Sequence, residues 1–155
     1  MIKILFLDVD GTLTDGKINI SSNGEIFKSF NVKDGLGIKK LINNNIIPII
    51  ITGRKSSIVE YRCKELGITE VYQNISNKKD FIEKILKEKN ILASDTAYMG
   101  DDENDLEAMK YCGFSFAPKD AVKKVKDQAN YITNLNGGYG CVREAIEYIL
   151  DNYNK

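Results

Sequence analysis

The chain of 155 residues is 43% hydrophobic and 28% charged, and Lys plus Arg equals Asp plus Glu at 22 each. That balance carries no electrostatic footprint for nucleic acid or an anionic membrane, and no run approaches the ~18 consecutive apolar residues of a membrane span. There is no histidine, which removes Ser-His-Asp and Cys-His mechanisms and most zinc hydrolases, leaving carboxylates, Lys, Thr, Ser, Cys or a hard metal ion to do any chemistry.

The elements follow in chain order. Residues 2–8 (IKILFLD) form the first predicted strand, which ends in Asp8 with Asp10 two residues on. Residues 17–32 read as a β-hairpin, with Asn23-Gly24 as a type I′ turn pair. Then come a helix at 35–45, a strand at 46–52, a helix at 56–66, a strand at 70–73 and a helix at 78–90. A strand at 96–100, a helix at 103–112, a strand at 114–117, a helix at 120–127, a strand at 130–133 and a helix at 141–153 complete the chain. The continuous apolar run IIPIII suggests strands buried on both faces, as in parallel sheets. Gly67 and Gly113 are placed as helix C-caps. The alternation predicts an α/β fold: a Rossmann-like parallel sheet flanked by helices, with a hairpin flap after the first strand. The length predicts a single domain over 1–155. Cys63, Cys112 and Cys141 form no CxxC pair, and the N-terminus is too short in apolar residues for a signal peptide. Free thiols and a cytoplasmic location are therefore expected.

Ligands of open parallel sheets bind outside the carboxyl ends of the strands. Those ends carry Asp8 and Asp10, then Thr52-Gly53-Arg54, Asn77-Lys78, and Asp101, Asp102 and Asp105. A cluster of acids repels itself unless something positive enters it, and Mg²⁺ suits a few carboxylates plus phosphate oxygens. In this reading Asp8 is a nucleophile that forms an aspartyl-phosphate. Asp10 protonates the leaving alcohol and then deprotonates the attacking water. Thr52 donates to phosphoryl oxygens, Lys78 offsets charge in the transition state, and Gly11 permits the turn that folds Asp10 over the site. Candidate metal ligands are Asp8, Asp10, Asp101 and Asp105. Gly53 and Asn77, beside Thr52 and Lys78, are candidate substrate contacts.

DVDGT (8–12), Thr52 after IIPIII, Lys78 and GDDEND (100–105) resemble the four motifs of the haloacid dehalogenase superfamily of phosphohydrolases. The TDG at 14–16, the hairpin, KDGLGIKKL (33–41), TGRKSSIVEYRCKELGI (52–68), YQNISNK (72–78) and GGYGCVRE (137–144) resemble its 3-deoxy-D-manno-octulosonate 8-phosphate phosphatase subgroup over nearly the whole chain. The resemblance implies removal of phosphate from a lipopolysaccharide precursor. Close relatives that act on nonulosonate 9-phosphates are the alternative, and a phospho-accepting or binding module is a remote one. The gaps between Asp10 and Gly53 and between Thr52 and Lys78 have no room for a cap domain. The family's answer to a capless site is a homotetramer in which hairpins assemble and a neighbour helps close the site. Arg54, supported by Arg62, is the candidate reader of a sugar-acid carboxylate, since arginine pairs with one through two parallel hydrogen bonds. The GGYG segment (137–140) and Arg143 are expected either to approach a neighbour's site or to form a plain loop. Asp15 and Asp34 are expected to be turn residues or to line the site.

Overall fold

The computed structural model describes residues 1–154. Six parallel strands form the sheet in the order β5-β4-β1-β6-β7-β8. They are β1 (Ile4–Leu7), β4 (Ile47–Ile51), β5 (Glu70–Tyr72), β6 (Thr96–Met99), β7 (Phe114–Ala117) and β8 (Tyr131–Ile132). A separate antiparallel hairpin, β2 (Asn19–Ser21) and β3 (Gly24–Phe27), follows β1. The helices are α1 (Val32–Asn43), α2 (Ser57–Leu66), α3 (Lys78–Lys89), α4 (Leu106–Tyr111), α5 (Lys123–Gln128) and α6 (Cys141–Asn152). Only the hairpin and α1 lie between β1 and β4, so the described residues contain no cap domain.

Alternation along the central strand sorts the core into two layers. Leu5 and Leu7 of β1 pack with Ile38 and Leu41 of α1, Val59 and Cys63 of α2, and Val142, Ala145, Ile146 and Ile149 of α6. Ile4 and Phe6 pack with Ile82, Ile85 and Leu86 of α3, Ala108 and Met109 of α4, and Val125 of α5. Both faces of β1 are covered, which is why it reads as an unbroken apolar run. The chain leaves β1 first toward β4 and β5, then returns to the other side of β1 at β6. This reversal opens a crevice at the carboxyl end of β1. Leu7 lies level with Ile50 of β4 and with Met99 of β6. The register therefore brings Asp8, Thr52 and Asp101 to one end of the sheet.

Several expected boundaries shift for local reasons. α1 begins at Val32 because the Asn31 side chain accepts from the Lys33 amide at 2.9 Å. It runs straight through Asp34-Gly35, which resembled a turn. Gly37 is tolerated within α1 because a Cβ there would lie 3.2 Å from the Cα of Arg143, so its absence lets α1 and α6 approach. The expected helix at 103–112 divides into a 3-10 turn, Glu103–Asp105, followed by α4. Gly67 is the left-handed C-cap of α2. Gly113 is not a left-handed cap: Cys112 ends α4, and a Cβ on Gly113 would sit 2.4 Å from the carbonyl oxygen of Ser94. The hairpin turn is Ser22-Asn23 rather than Asn23-Gly24, because Ser21 pairs with Gly24. A type I′ turn needs positive φ at both central residues, and here only Gly24, at φ +114°, has it.

Asp34 neither forms a turn nor lines the crevice. It is buried on α1 and accepts from the Arg143 amide at 2.9 Å, at the start of a helix whose own N-cap, Gly140, has no side chain. Burial pushes its carboxyl up to about 6, although amides at the start of α6 pull the other way. Between pH 4 and 6 the folded chain thus holds a proton that the unfolded chain releases, and this group's contribution to stability falls as pH rises through that window. Asp34→Asn keeps an acceptor and removes the titration. In urea unfolding, wild type should lose about 1–3 kcal/mol relative to this variant between pH 4 and pH 7.

Candidate active site

The loop after β1 is wound tightly around one carbonyl: the amides of Thr12, Leu13 and Thr14 all donate to the oxygen of Val9, at 2.9–3.1 Å. The Thr14 hydroxyl then accepts from the amides of Gly11 and Gly16, both at 3.2 Å. Gly11 has φ +88°, and a Cβ on it would stand 1.9 Å from Oδ2 of Asp101. The glycine therefore serves the backbone conformation and also leaves room for the carboxylate arriving from β6. Gly100 likewise leaves room for Asp105, whose Cγ would lie 2.3 Å from an added Cβ.

Asp8, Asp101 and Asp105 present carboxylate oxygens within 4.8 Å of one another. Lys78, the first residue of α3, reaches into this group with a side chain only 1% exposed. Its Nζ donates to Asp8 at 2.9 Å and to Asp105 at 2.8 Å. Asp105 also accepts from the Asp101 and Asp102 amides, at 3.0 and 3.1 Å, and from the Tyr98 hydroxyl. These bonds hold the 103–105 turn in its 3-10 form. Burial, reinforced by repulsion from Asp105, pushes Asp8 up to about 6 despite the ammonium beside it. Burial and the Asp8 charge push Asp101 up to about 9. Burial alone would lower Lys78, but Asp8 and Asp105 outweigh it and hold the ammonium above its ordinary value.

Three carboxylates against one ammonium leave a formal charge of −2 in a buried space. The all-oxygen donor set and that charge fit Mg²⁺, and Asp8 and Asp101, which line the cleft, are placed to hold it. Asp105 has its oxygens committed to Lys78, Tyr98 and two amides, so it orients the others. The Asp10 carboxylate lies outside the group of three, paired instead with Lys28 at 2.7 Å.

A cleft of about 210 Å³ lies over the cluster, lined by Asp8, Asp10, Thr52, Gly53, Arg54 and Asp101, with Gly16, Asp102 and Asn104. Lys78 and Asp105 lie in the cluster beneath it, whereas Asn77 and Arg62 join neither. Asn77 is the N-cap of α3, accepting from the Asp80 amide at 3.0 Å and donating to the Asp80 carboxylate at 2.8 Å. Arg62 lies ~9 Å along α2 from its N-cap, because the helix runs away from the crevice. Within the subunit it sits over the Phe30 ring and lines a small cavity with Val9, Leu13 and Asp34. The GGYG segment packs against the loop after β1 of the same chain. The Gly138 amide donates to Thr12 at 3.1 Å, and a Cβ on Gly137 would fall 1.9 Å from the carbonyl oxygen of Gly11. Arg143 is engaged by Glu147 at 2.6 Å. Asp15 caps its own turn by accepting from the Lys17 amide. Sequence reasoning passed over Thr14, Lys28, Tyr98 and Asn104. The TDG at 14–16 drew notice as a motif, but nothing in it marks Thr14 as the clasp of the loop.

Fold and cleft together define a hydrolase of phosphate esters that works through carboxylates and a hard cation. A model of the haloacid dehalogenase-like hydrolases matches residues 65–146. The 3-deoxy-D-manno-octulosonate 8-phosphate phosphatase KdsC of Salmonella typhi is 44% identical over 96% of this chain and 79% of its own length. Its namesake in Haemophilus influenzae is 40% identical over 99% of this chain and 86% of its own. A crystal structure of the Moraxella catarrhalis phosphatase, in complex with magnesium ion, phosphate ion and a KDO molecule, superposes with a TM-score of 0.93 at 41% identity, covering 97% of this chain and 86% of that one. The chain belongs to the haloacid dehalogenase-like hydrolases and, within them, to the family of the 3-deoxy-D-manno-octulosonate 8-phosphate phosphatases.

Three outcomes are expected of this site. Gly11→Ala should lower turnover by ~100-fold or more, because the added Cβ must displace Asp101 or the loop; steady-state kinetics and Mg²⁺ titration check this. Asp8 and Asp101 hold protons in the cation-free folded chain that the unfolded chain releases, so their contribution to its stability falls as pH rises from about 4 to 9. Mg²⁺ must displace the proton held at Asp101, so its affinity should rise by up to ~10-fold per pH unit between pH 6 and 9, read by calorimetry. An affinity independent of pH would contradict a proton held at Asp101.

Proposed function

We infer that the protein is a Mg²⁺-dependent phosphatase that hydrolyses 3-deoxy-D-manno-octulosonate 8-phosphate. One observation carries the reading: a chain 44% identical over 96% of its length to such a phosphatase gathers Asp8, Asp10, Thr52, Arg54 and Asp101 around one cleft, with Lys78 bonded to Asp8 beneath it. When bound, Mg²⁺ neutralises the carboxylates and draws charge from the phosphoryl oxygens.

This chain's residues supply the rest. Asp8, held by Lys78, attacks phosphorus, and its carboxylate takes the phosphoryl group while the P–O bond to the sugar breaks. Asp10 gives the leaving oxygen its proton. The Thr52 hydroxyl and the Lys78 ammonium meet the phosphoryl oxygens, where negative charge grows. Water then attacks the aspartyl-phosphate, Asp10 takes the water's proton, and Asp8 is released with inorganic phosphate. Arg54, exposed at the rim of the cleft, pairs with the carboxylate at the far end of the sugar acid.

The whole chain acts as one catalytic domain in this reading. Exposed Ile18, Ile20, Ile26 and Phe27 on and beside the hairpin support its assembly into a homotetramer, in which Arg62 could serve a neighbour's cleft. Among the described residues no helix is long and apolar enough to cross a membrane. Three buried free thiols suit the reducing cytoplasm.

Phosphate release with Mg²⁺ from the octulosonate 8-phosphate, nonulosonate 9-phosphates and neutral sugar phosphates tests the reading, with Asp8→Asn as the blank. The octulosonate ester should be preferred, and Arg54→Glu should lower its kcat/KM on the order of 100-fold. A preference for a 9-phosphate would overturn the substrate, and no release above the blank would overturn the activity.

A further inference from the structure

The hairpin is the most exposed element of the fold, with every residue of β3 open to solvent. Yet the side chain of Lys28, which directly follows β3, is only 4% exposed. An ammonium is sequestered this way only when carboxylates meet it. Lys28 Nζ donates to Asp10 Oδ1 at 2.7 Å and lies 2.9 Å from Glu25 Oε1. The other oxygen of Glu25 accepts from the Ser56 hydroxyl at 2.6 Å. Ser56 is the N-cap of α2, where serine ordinarily turns its oxygen to an amide of its own helix. Here it makes no such bond, and its hydroxyl goes to the hairpin instead. A chain of contacts therefore runs from α2 through the flap to Asp10.

We propose that Lys28 is a positioning residue for Asp10, seated by the Glu25–Ser56 contact, and that the hairpin thereby governs the hydrolytic half of the reaction. With Oδ1 held by Lys28, Oδ2 of Asp10 is the oxygen left to take a proton. In that half-reaction the oxygen of water bonds to phosphorus and the bond from phosphorus to Asp8 breaks. The water's proton passes to Asp10 Oδ2, and phosphate leaves. A carboxylate free to rotate meets that water less often. The inference rests on the phosphatase reading above, but not on the identity of the sugar.

The test uses p-nitrophenyl phosphate with Mg²⁺ in rapid mixing. Its leaving group needs no proton, so the first burst of nitrophenol reports attack by Asp8 and the steady rate reports hydrolysis. In Lys28→Met the ratio of burst rate to steady rate should rise at least 10-fold, with aspartyl-phosphate accumulating in acid-quenched samples. Lys28→Arg should recover part of that ratio. Ser56→Ala, which leaves Lys28 and Asp10 in place, should shift it in the same direction by less. Equal losses in both phases, or no change in the ratio, would overturn the proposal and leave the phosphatase standing. Wild-type protein no more active than Asp8→Asn would overturn both.

Discussion

The repulsion among Asp8, Asp101 and Asp105 is the constraint on which the rest of the site depends. Buried carboxylates this close are unstable on their own, and Lys78 answers only part of their charge. The remainder makes the protein a receptor for a divalent cation and, with that cation, for a phosphate ester. Lys78 is therefore a keystone as well as a catalytic candidate. Removing it would leave Asp105 buried and uncompensated, and the turn that presents Asp101 hangs on Asp105.

Three glycines make this crowding possible. Gly11, Gly100 and Gly137 each stand where a single methyl group would collide with Asp101, Asp105 or the catalytic loop. The GGYG segment thus buttresses the loop after β1, and α6 behind it closes the core against α1. This gives the C-terminal region a role in the site without any residue of it lining the cleft. Asp34 completes the brace by supplying the cap that Gly140 cannot.

The hairpin combines two unlike surfaces. Its isoleucines and Phe27 are exposed, while Lys28 and Glu25 turn inward to Asp10 and Ser56. An open, capless cleft would admit water freely. The same short element thus exposes apolar side chains on one side and engages Asp10 through Lys28 on the other.

The sequence by itself determined the alternation of strands and helices, the parallel sheet, and the positions of Asp8, Asp10, Thr52, Lys78 and Asp101 at strand ends or a helix start. These were legible because periodicity and strand direction are local properties, and because in such a sheet every strand end faces the same crevice. Tertiary structure alone decided what each polar side chain meets. Asp34 spans to α6 because its hydrogen-bond partner lies far along the chain, Arg62 lies out of reach because α2 runs away from the crevice, and Asn77 is taken up in capping α3. Lys28 was illegible for the same reason: in sequence it is one surface lysine among many, and only the folding back of the hairpin buries it against Asp10. Gly113 resembled a helix cap, while its purpose lies in a backbone approach to Ser94 that no local pattern encodes.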